Sequence, residues 1–346
     1  MACGSWNPSV FPLPRSALPF SGTGFIVSDP HIGYVGMPNA EMHHLAPPVY
    51  HVFTNDRGGR DSYRGKKAAK KVDFLFVGDS QVWGAGVPDE DTFPKILTRQ
   101  LGVSVFNAAE PNYSMVAALL SIDKFAHMRP RYIVFGFLAE VLPGIFSPCS
   151  HKTALLCRPM AYLDRASVGV EMRPPAGDGH IYSAYVREIV FLHSFGWRDI
   201  YWAAYRDISL TLSNAKRVQD LAGQGSTAKA SNWTNDPAWS ALGLRFLIDE
   251  MAKKTSSVGV RLICLNMTNL ENYRPSQEVM QAIEDGRSGD KFLYVDSSSL
   301  LQEAGSAHGA HYVRIPRYGH FTAVGHGIIA DAIAAAVSPY VRADPL

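Results

Sequence analysis

Five short apolar segments alternate with amphipathic stretches in this sequence, and that alternation limits the fold more than any other feature. The segments are Phe74–Val77, Val103–Phe106, Tyr132–Phe137, Val260–Leu265 and Phe292–Val295. Their apolar residues mostly occupy consecutive positions, which is typical of strands buried on both faces of a sheet. Such strands form parallel sheets that helices cover on both sides. The sequence therefore predicts a three-layer α/β/α domain around a five-stranded parallel sheet.

The stretches between these segments carry helix signals. Ser114 can cap a helix on which apolar residues recur with the 3.6-residue period, and Pro130 can end that part of the chain. Another helix begins at Pro237, and an alanine-rich helix follows His326. Because the carboxyl ends of parallel strands share one edge of a sheet, and open sheets bind ligands there, we expect the chemistry at that edge.

Two regions do not follow the alternation. Residues 1–65 are rich in Pro, Gly, His and Asn with short β-like pieces, which predicts an irregular N-terminal lobe packed on a main domain of residues 66–346. Residues 142–235 separate the third and fourth strands by more than a plain crossover needs. The aromatic residues of this insertion favour two packed helices, with a lid or a sugar-stacking wall as the alternative.

The composition excludes several classes of partner. With 33 basic and 31 acidic residues the formal charge is +2, which gives no strong field for nucleic acid or anionic lipid. No apolar stretch reaches the roughly 18 residues that a membrane span requires, and the first residues lack the pattern of a signal peptide. We therefore expect no nucleic-acid partner, no transmembrane segment and no export signal. The oligomeric state is left open.

Cysteine and histidine spacing gives little sign of a metal. Cys149 and Cys157 bracket seven residues, a spacing that a disulfide could close in an oxidising compartment but that matches no common zinc pattern. His308, His311 and His326 have no Cys, Asp or Glu at a recognisable ligand spacing. The prediction is therefore that the protein uses neither a metal nor a cofactor.

The first predicted strand runs directly into Gly78-Asp79-Ser80 and a glycine-rich turn. A serine hydroxyl is a weak nucleophile, so an enzyme that uses one must expose it, place a base beside it and provide donors to the oxyanion. A tight turn between strand and helix would expose Ser80 at the sheet edge, with its own backbone N–H free to face a carbonyl oxygen. Ser80 is the candidate nucleophile, and a structural serine that caps a turn is the alternative.

This motif resembles the first block of the SGNH (GDSL-type) hydrolases, in which an apolar strand runs into Gly-Asp-Ser. The sequence from His320 to His326 is similar to the last block of that family, where the catalytic histidine precedes a Gly-His pair at the start of the final helix. The resemblance implies a flavodoxin-like SGNH fold, with Ser80 as nucleophile and His320 as the base that takes its proton. A loop histidine is the alternative for His320.

The two middle blocks of the family are matched less closely. In the second, Asn112 stands in place of the glycine whose N–H helps to form the oxyanion hole, and its backbone N–H would serve equally. In the third, Glu140 stands where the family has an Asn-Asp pair, so the amide donor is absent. An ionised carboxylate would oppose an oxyanion, so Glu140 has to be protonated, turned away or part of a different arrangement.

The family's triad acid is also missing from its usual place, which Arg317 and Tyr318 occupy. A backbone carbonyl or Asp296, at the end of the fifth strand, is left to orient His320; otherwise serine and histidine work as a dyad. For Asp296 itself, its place at the end of a strand favours a turn residue.

The resemblance reaches beyond these blocks. Residues 25–34 and 53–61 look like the N-terminal lobe of a bacterial subgroup, whose insertion has a Cys…Cys-Arg-Pro element similar to that of Cys149 and Cys157. Such proteins look like envelope or polysaccharide-modifying proteins, which implies a periplasmic or other extracytoplasmic location. The predicted function is a serine esterase acting on an O-acyl ester, a small molecule or an acylated carbohydrate, through a Ser80 acyl-enzyme. An O-acyltransferase and a weakened, non-catalytic glycan-binding or assembly protein are the alternatives.

Overall fold

The computed structural model describes residues 20–22, 26–29, 31–44, 48–62, 66–111, 113–139, 149–150, 153–157, 160–164, 167–171, 237–268, 276–288, 291–316 and 319–343. The strands are β1 Phe20–Gly22, β2 Ile26–Asp29, β3 Gly33–Gly36, β4 Glu41–His44, β5 Tyr50–Thr54, β6 Arg60–Asp61, β7 Phe74–Val77, β8 Val105–Asn107, β9 Tyr132–Phe137, β10 Cys149–Ser150, β11 Thr153–Cys157, β12 Met160–Asp164, β13 Ser167–Glu171, β14 Arg261–Asn266 and β15 Leu293–Asp296. The helices are α1 Ser80–Trp83, α2 Phe93–Leu101, α3 Met115–Phe125, α4 Pro237–Ser256, α5 Gln277–Ser288, α6 Ser298–His308, α7 Ala310–Val313 and α8 Ala323–Ala343.

One sheet of nine strands runs through the molecule in the order β1-β4-β5-β6-β8-β7-β9-β14-β15. Five neighbouring strands, β8, β7, β9, β14 and β15, pair in parallel. They are the five apolar segments found in the sequence, with ends that differ by at most two residues. The predicted α/β fold around a five-stranded parallel sheet is therefore confirmed.

The other four strands of this sheet come from the N-terminal region. Strands β1, β4 and β5 pair with one another in antiparallel fashion, and β6 connects them to the parallel strands through the pair Arg60↔Asn107. Strand β8 would otherwise present unpaired backbone groups at the edge of the parallel sheet. The N-terminal region is thus less irregular than the sequence indicates, because it continues the central sheet and places Arg60 beside the carboxyl end of β8.

Two apolar cores lie on opposite faces of the parallel strands because successive side chains of a strand point to opposite faces. One core contains residues of β7, β9 and β14 with residues of α2 and α8: Phe74, Phe76, Leu97, Val134, Ile263 and Ile333. The other contains the alternate strand residues with residues of α3, α4 and α5: Leu75, Val77, Leu119, Ile133, Leu247 and Ile283. Helices therefore cover both faces, as in the predicted three-layer arrangement.

Helix α8 is more apolar than the sequence analysis allowed. Its segment Ala323–Val341 is long and apolar enough, by length and composition alone, to cross a membrane, and it is the one such helix in the part of the chain that the structure describes. The expectation that no stretch has this composition was wrong. The physical reason lies in the packing, since Ile329, Ile333 and Val337 of this helix are fully buried in the core of the domain.

The insertion contains strands where the sequence predicted helices. In residues 149–171 the chain forms two antiparallel hairpins, β10 with β11 and β12 with β13. The prediction of a helical insertion is wrong for this part, because β12 and β13 are short segments suited to pairing across a two-residue connection. The aromatic stretch assigned to two helices, within residues 182–205, lies outside the described residues.

Candidate active site

The chain leaves strand β7 through a turn that only glycine permits. A Cβ atom on Gly78 would lie 2.4 Å from Val82 Cγ2 and 2.8 Å from the carbonyl oxygen of Gly136 on β9. Asp79 follows as the N-cap of α1, because its Oδ1 accepts a hydrogen bond of 2.9 Å from the backbone N–H of Gln81. The carboxylate therefore fixes the first helical turn, and Ser80 begins that turn at the carboxyl edge of the parallel sheet.

Ser80 and His320 meet at this edge although they are 240 positions apart in the sequence. His320 Nε2 lies 2.8 Å from Ser80 Oγ, and both residues are half-buried. In the tautomer that carries its proton on Nδ1, the ring accepts the hydroxyl hydrogen through Nε2. That is the arrangement a general base requires beside a serine nucleophile.

Hydrogen bonds hold the His320 loop against the nucleophile helix. The carbonyl oxygen of His320 accepts from the backbone N–H of Ile315 at 2.8 Å, which closes the loop on itself. The carbonyl oxygen of Gly319 accepts from Gln81 Nε2 at 3.2 Å and from Arg314 Nη1 at 2.7 Å. Because Gln81 directly follows Ser80, one side chain ties the two halves of the site together.

The carboxyl end of α1 is held by Arg60, which comes from the N-terminal strands. Its Nη1 donates to the carbonyl oxygens of Trp83 at 3.0 Å and Gly84 at 2.6 Å, and its Nη2 donates to that of Val87. Its Nε is paired with Asp89, and the side chains of this ion pair are only 2% and 5% exposed. The guanidinium thus satisfies carbonyls that the short helix leaves without an intrahelical partner.

Asn107 supports the same helix from strand β8. Its Nδ2 donates to the carbonyl oxygen of Val82 at 3.1 Å, and its Oδ1 accepts from the backbone N–H of Ala109 at 3.2 Å. The sequence analysis assigned no function to Arg60 or Asn107. Both nevertheless lie in segments that carried the family resemblance. Asn107 could have been noticed because it is a polar residue at the end of an apolar strand.

Asn112, expected to provide an oxyanion donor, lies outside the described residues. Its two neighbours in the chain, Pro111 and Tyr113, both form hydrogen bonds with Tyr34. The hydroxyl of Tyr34 donates to the carbonyl oxygen of Pro111 at 2.7 Å. The hydroxyl of Tyr113 donates in return to the carbonyl oxygen of Tyr34 at 2.6 Å. The N-terminal strands therefore clamp this loop on both sides of Asn112, as they hold the end of α1.

Glu110, in the same loop, is a buried acid. Burial raises the pKa of its carboxyl well above the usual range, while the charge of Arg60 and a hydrogen bond from the backbone N–H of Gly36 oppose the rise. Its Oε2 has no hydrogen-bond partner among the residues that the structure describes. The shift favours the protonated, neutral form of Glu110 beside the loop.

Glu140, the other residue assigned to the oxyanion region, also lies outside the described residues. The preceding residue is anchored, because the backbone N–H of Ala139 donates to Thr268 Oγ1 at 2.8 Å. Thr268 Oγ1 donates in turn to Asn266 Oδ1 at 2.7 Å. This chain of bonds fixes the end of strand β9 to the end of β14.

Asp296 is a turn residue, as its position in the sequence favours. Its Oδ1 accepts from the backbone N–H of Ser298 at 2.9 Å and lies 3.4 Å from Asn266 Nδ2. These contacts place it in the turn that leads into α6. Arg317 and Tyr318, which stand where the family has its triad acid, lie outside the described residues.

His326 belongs to the core. It is fully buried, and its Nδ1 accepts from the backbone N–H of Phe93 at 3.3 Å. Burial, together with the nearby charges of Arg60 and His320, lowers the pKa of His326 to about 3. The imidazole is therefore neutral at ordinary pH and packs beneath the loop of His320.

Comparisons with known proteins show a likeness of fold only. No protein-family profile and no curated protein matches the sequence. The solved structure described as TesA is 13% identical, covers 77% of this chain and 98% of its own, and has a TM-score of 0.42. The psychrotrophic esterase EstA from Pseudoalteromonas sp. is 11% identical, covers 78% of this chain and 99% of its own, and has a TM-score of 0.40. The acetylxylan esterase Axe2 from Geobacillus stearothermophilus is 10% identical, covers 78% and 94%, and has a TM-score of 0.38.

Proposed function

We propose that the protein is a serine ester hydrolase of the SGNH type, with Ser80 as the nucleophile and His320 as the general base. The observation that carries this proposal is the distance of 2.8 Å between Ser80 Oγ and His320 Nε2 at the carboxyl edge of the sheet. The Gly-Asp-Ser and His-to-Gly-His blocks, which resemble those of SGNH hydrolases, support the same assignment.

The first half of the reaction transfers the acyl group to the enzyme. Ser80 Oγ attacks the ester carbonyl carbon while its proton passes to His320 Nε2, and the carbonyl oxygen becomes an oxyanion. Collapse of this intermediate breaks the bond to the alcohol, which leaves with the proton from His320. In the second half, water gives a proton to His320 and attacks the acyl-enzyme, and the acid departs as Ser80 regains its hydrogen.

Donors to the oxyanion come from the turns after the strands. The backbone N–H of Ser80 is the first donor proposed, since it lies in the opening turn of α1 and has no intrahelical acceptor. The second is the backbone N–H of Asn112, in the loop that Tyr34 holds. Glu140 is proposed to be neutral or turned away, because an ionised carboxylate would oppose the developing charge.

The substrate class and location rest on the family resemblance. The bacterial subgroup whose lobe and Cys…Cys-Arg-Pro element resemble those of this chain suggests an O-acyl ester on a carbohydrate or small molecule, outside the cytoplasm. The register of β10 and β11 would allow a disulfide, which forms only in an oxidising compartment, because Cys149 and Cys157 are directly opposite one another in that antiparallel pair. Residues opposite in such a pair lie within the Cα separation that a disulfide requires.

Hydrolysis of short-chain aryl esters tests the proposed function. We expect the native protein to release the aryl alcohol. Ser80→Ala and His320→Ala should each lower kcat by about 1000-fold or more, because nucleophile and base act as a unit. His311→Ala, on the short helix α7, is the matched control and should retain the native rate. Full activity in Ser80→Ala or His320→Ala would contradict the mechanism.

A further inference from the structure

Three side chains with metal-binding atoms share one face of the N-terminal strands β4 and β5. His43 of β4 and His51 of β5 are directly opposite residues of the antiparallel pair. Glu41 precedes His43 by two positions, and residues two apart in a strand point to the same face. This register alone brings two imidazoles and one carboxylate together on the hairpin.

The side chains converge as well as sharing a face. His43 Nε2 lies 2.9 Å from Glu41 Oε1, and the rings of His43 and His51 are 3.5 Å apart between centroids at 73°. One ligand atom from each of the three residues lies within 4.8 Å of the others, the one such group in the part of the chain that the structure describes. Nitrogen and oxygen ligands about 2.0–2.2 Å from one ion can span these separations after small side-chain rotations.

We propose that Glu41, His43 and His51 form a binding site for a divalent transition-metal ion, with Zn²⁺ as the best fit to two imidazoles and a carboxylate. Zn²⁺ takes four ligands in tetrahedral geometry, and three protein ligands leave one position for water. The site can accept that water because His51 is exposed and the His43 and Glu41 side chains keep 28% and 34% of their surface exposed. Cu²⁺ and Ni²⁺ bind the same donors and compete in vitro.

Charge favours a cation at this place. The carboxylate of Glu41 adds one negative charge. The neighbouring strands place Ser21 opposite His43 and Phe53 opposite Glu41, and neither of these residues brings a competing positive charge.

The ion would act on stability rather than on the ester. It would join β4 to β5, and β5 pairs with β6, whose Arg60 binds the carboxyl end of α1. An ion that binds only the folded hairpin stabilises it. The stabilisation grows with the logarithm of the ratio of the free ion concentration to Kd. The site is therefore separate from the serine and histidine of the proposed reaction.

Titration of the chelator-treated full-length protein with Zn²⁺ tests the proposal, with heat of binding and the visible absorption of the Co²⁺ form as readouts. The native protein should bind one equivalent. His43→Ala and His51→Ala should each lose about 100-fold or more in affinity, since removal of residues that merely support a ligand already costs 10- to 100-fold. His308→Ala, an exposed histidine of α6, is the control and should bind like the native protein.

A second measurement needs no variant. Zn²⁺ should slow amide hydrogen exchange in residues 41–54 of the native protein and leave α5, on the far side of the sheet, unchanged. The proposal is overturned if the native protein binds no Zn²⁺ at 100 equivalents, if the His43 and His51 variants bind it as the native protein does, or if exchange in residues 41–54 does not change. Ester hydrolysis is unaffected by any of these outcomes, so the two proposals fail separately.

Discussion

Ser80 is positioned by the residues directly beside it in the chain. Asp79 caps the first turn of α1, and Gln81 reaches the loop that carries His320. The serine hydroxyl therefore faces the imidazole at 2.8 Å without contributing to either anchor itself. The Ser80 hydroxyl is therefore available for reaction, because Asp79 and Gln81 make the hydrogen bonds that hold the turn and the loop in place.

Some residues of the site could be predicted from the sequence and others could not, and the two groups differ in the contacts they make. Ser80 and His320 stand in motifs that stretch over several consecutive residues, so their candidacy was visible without coordinates. Arg60 and Gln81 act through contacts with backbone carbonyls distant in sequence. Every residue has a backbone carbonyl, so the sequence cannot show which carbonyls Arg60 and Gln81 will bind.

His326 gives a prediction for the dependence of stability on pH. Its pKa is about 3 in the folded protein and near 6.5 in the unfolded chain. Between these values only the unfolded chain is protonated at this position. Lowering the pH through that window therefore lowers the free energy of unfolding, by at most about 1.4 kcal/mol per pH unit.

The variant His326→Asn should remove this contribution, so its free energy of unfolding should change less steeply than that of the native protein from pH 6.5 downward. Urea unfolding at a series of pH values measures the slope. His308→Asn, at an exposed position, should keep the native slope. An unchanged slope in His326→Asn would show that the buried imidazole is not the source.

At the scale of elements, the nucleophile helix depends on strands that belong to the N-terminal region. Helix α1 has only four residues, too few to satisfy its own carbonyls. Arg60 from β6 and Asn107 from β8 supply the donors. The N-terminal strands are thus part of the framework of the active site as well as an extension of the sheet.

Replacement of Arg60 should therefore lower the stability of the protein strongly. Arg60→Met leaves Asp89 as a buried unpaired charge and several carbonyls without donors, so we expect the free energy of unfolding to fall by about 3–5 kcal/mol. Arg99→Met, which removes an exposed arginine paired with Glu90, should cost less than about 1 kcal/mol. Urea unfolding compares the two variants. Equal stability of the two proteins would mean that Arg60 does not hold the helix.

The strands were easier to predict than the insertion for a related reason. The parallel strands are buried on both faces, and burial requires the consecutive apolar residues that the sequence shows. The hairpins of residues 149–171 lie outside this sheet, so that constraint is absent. Turn residues such as Pro159 were the available signal there.

For the molecule as a whole, the fold brings the ends of separate β-α units to one edge. The five parallel strands and the helices on both faces of the sheet followed from apolar periodicity, which reports burial. The continuation of the sheet by β1, β4, β5 and β6 could not be predicted in the same way, because those strands are short and their pairing joins segments that share no pattern. The edge on which Ser80 and His320 meet could be predicted. The side chains that hold this edge by hydrogen bonds, such as Arg60 and Gln81, could not.

Reaction with a fluorophosphonate, followed by intact-mass measurement and peptide mapping, shows whether Ser80 is an activated nucleophile, because that reagent phosphonylates a serine only when a base activates it. We expect the native protein to gain one phosphonyl group on Ser80 and Ser80→Ala to gain none. His320→Ala should react at least about 100-fold more slowly. A native protein that stays unlabelled, or a label on any other serine, would contradict the pairing of Ser80 with His320 as nucleophile and base.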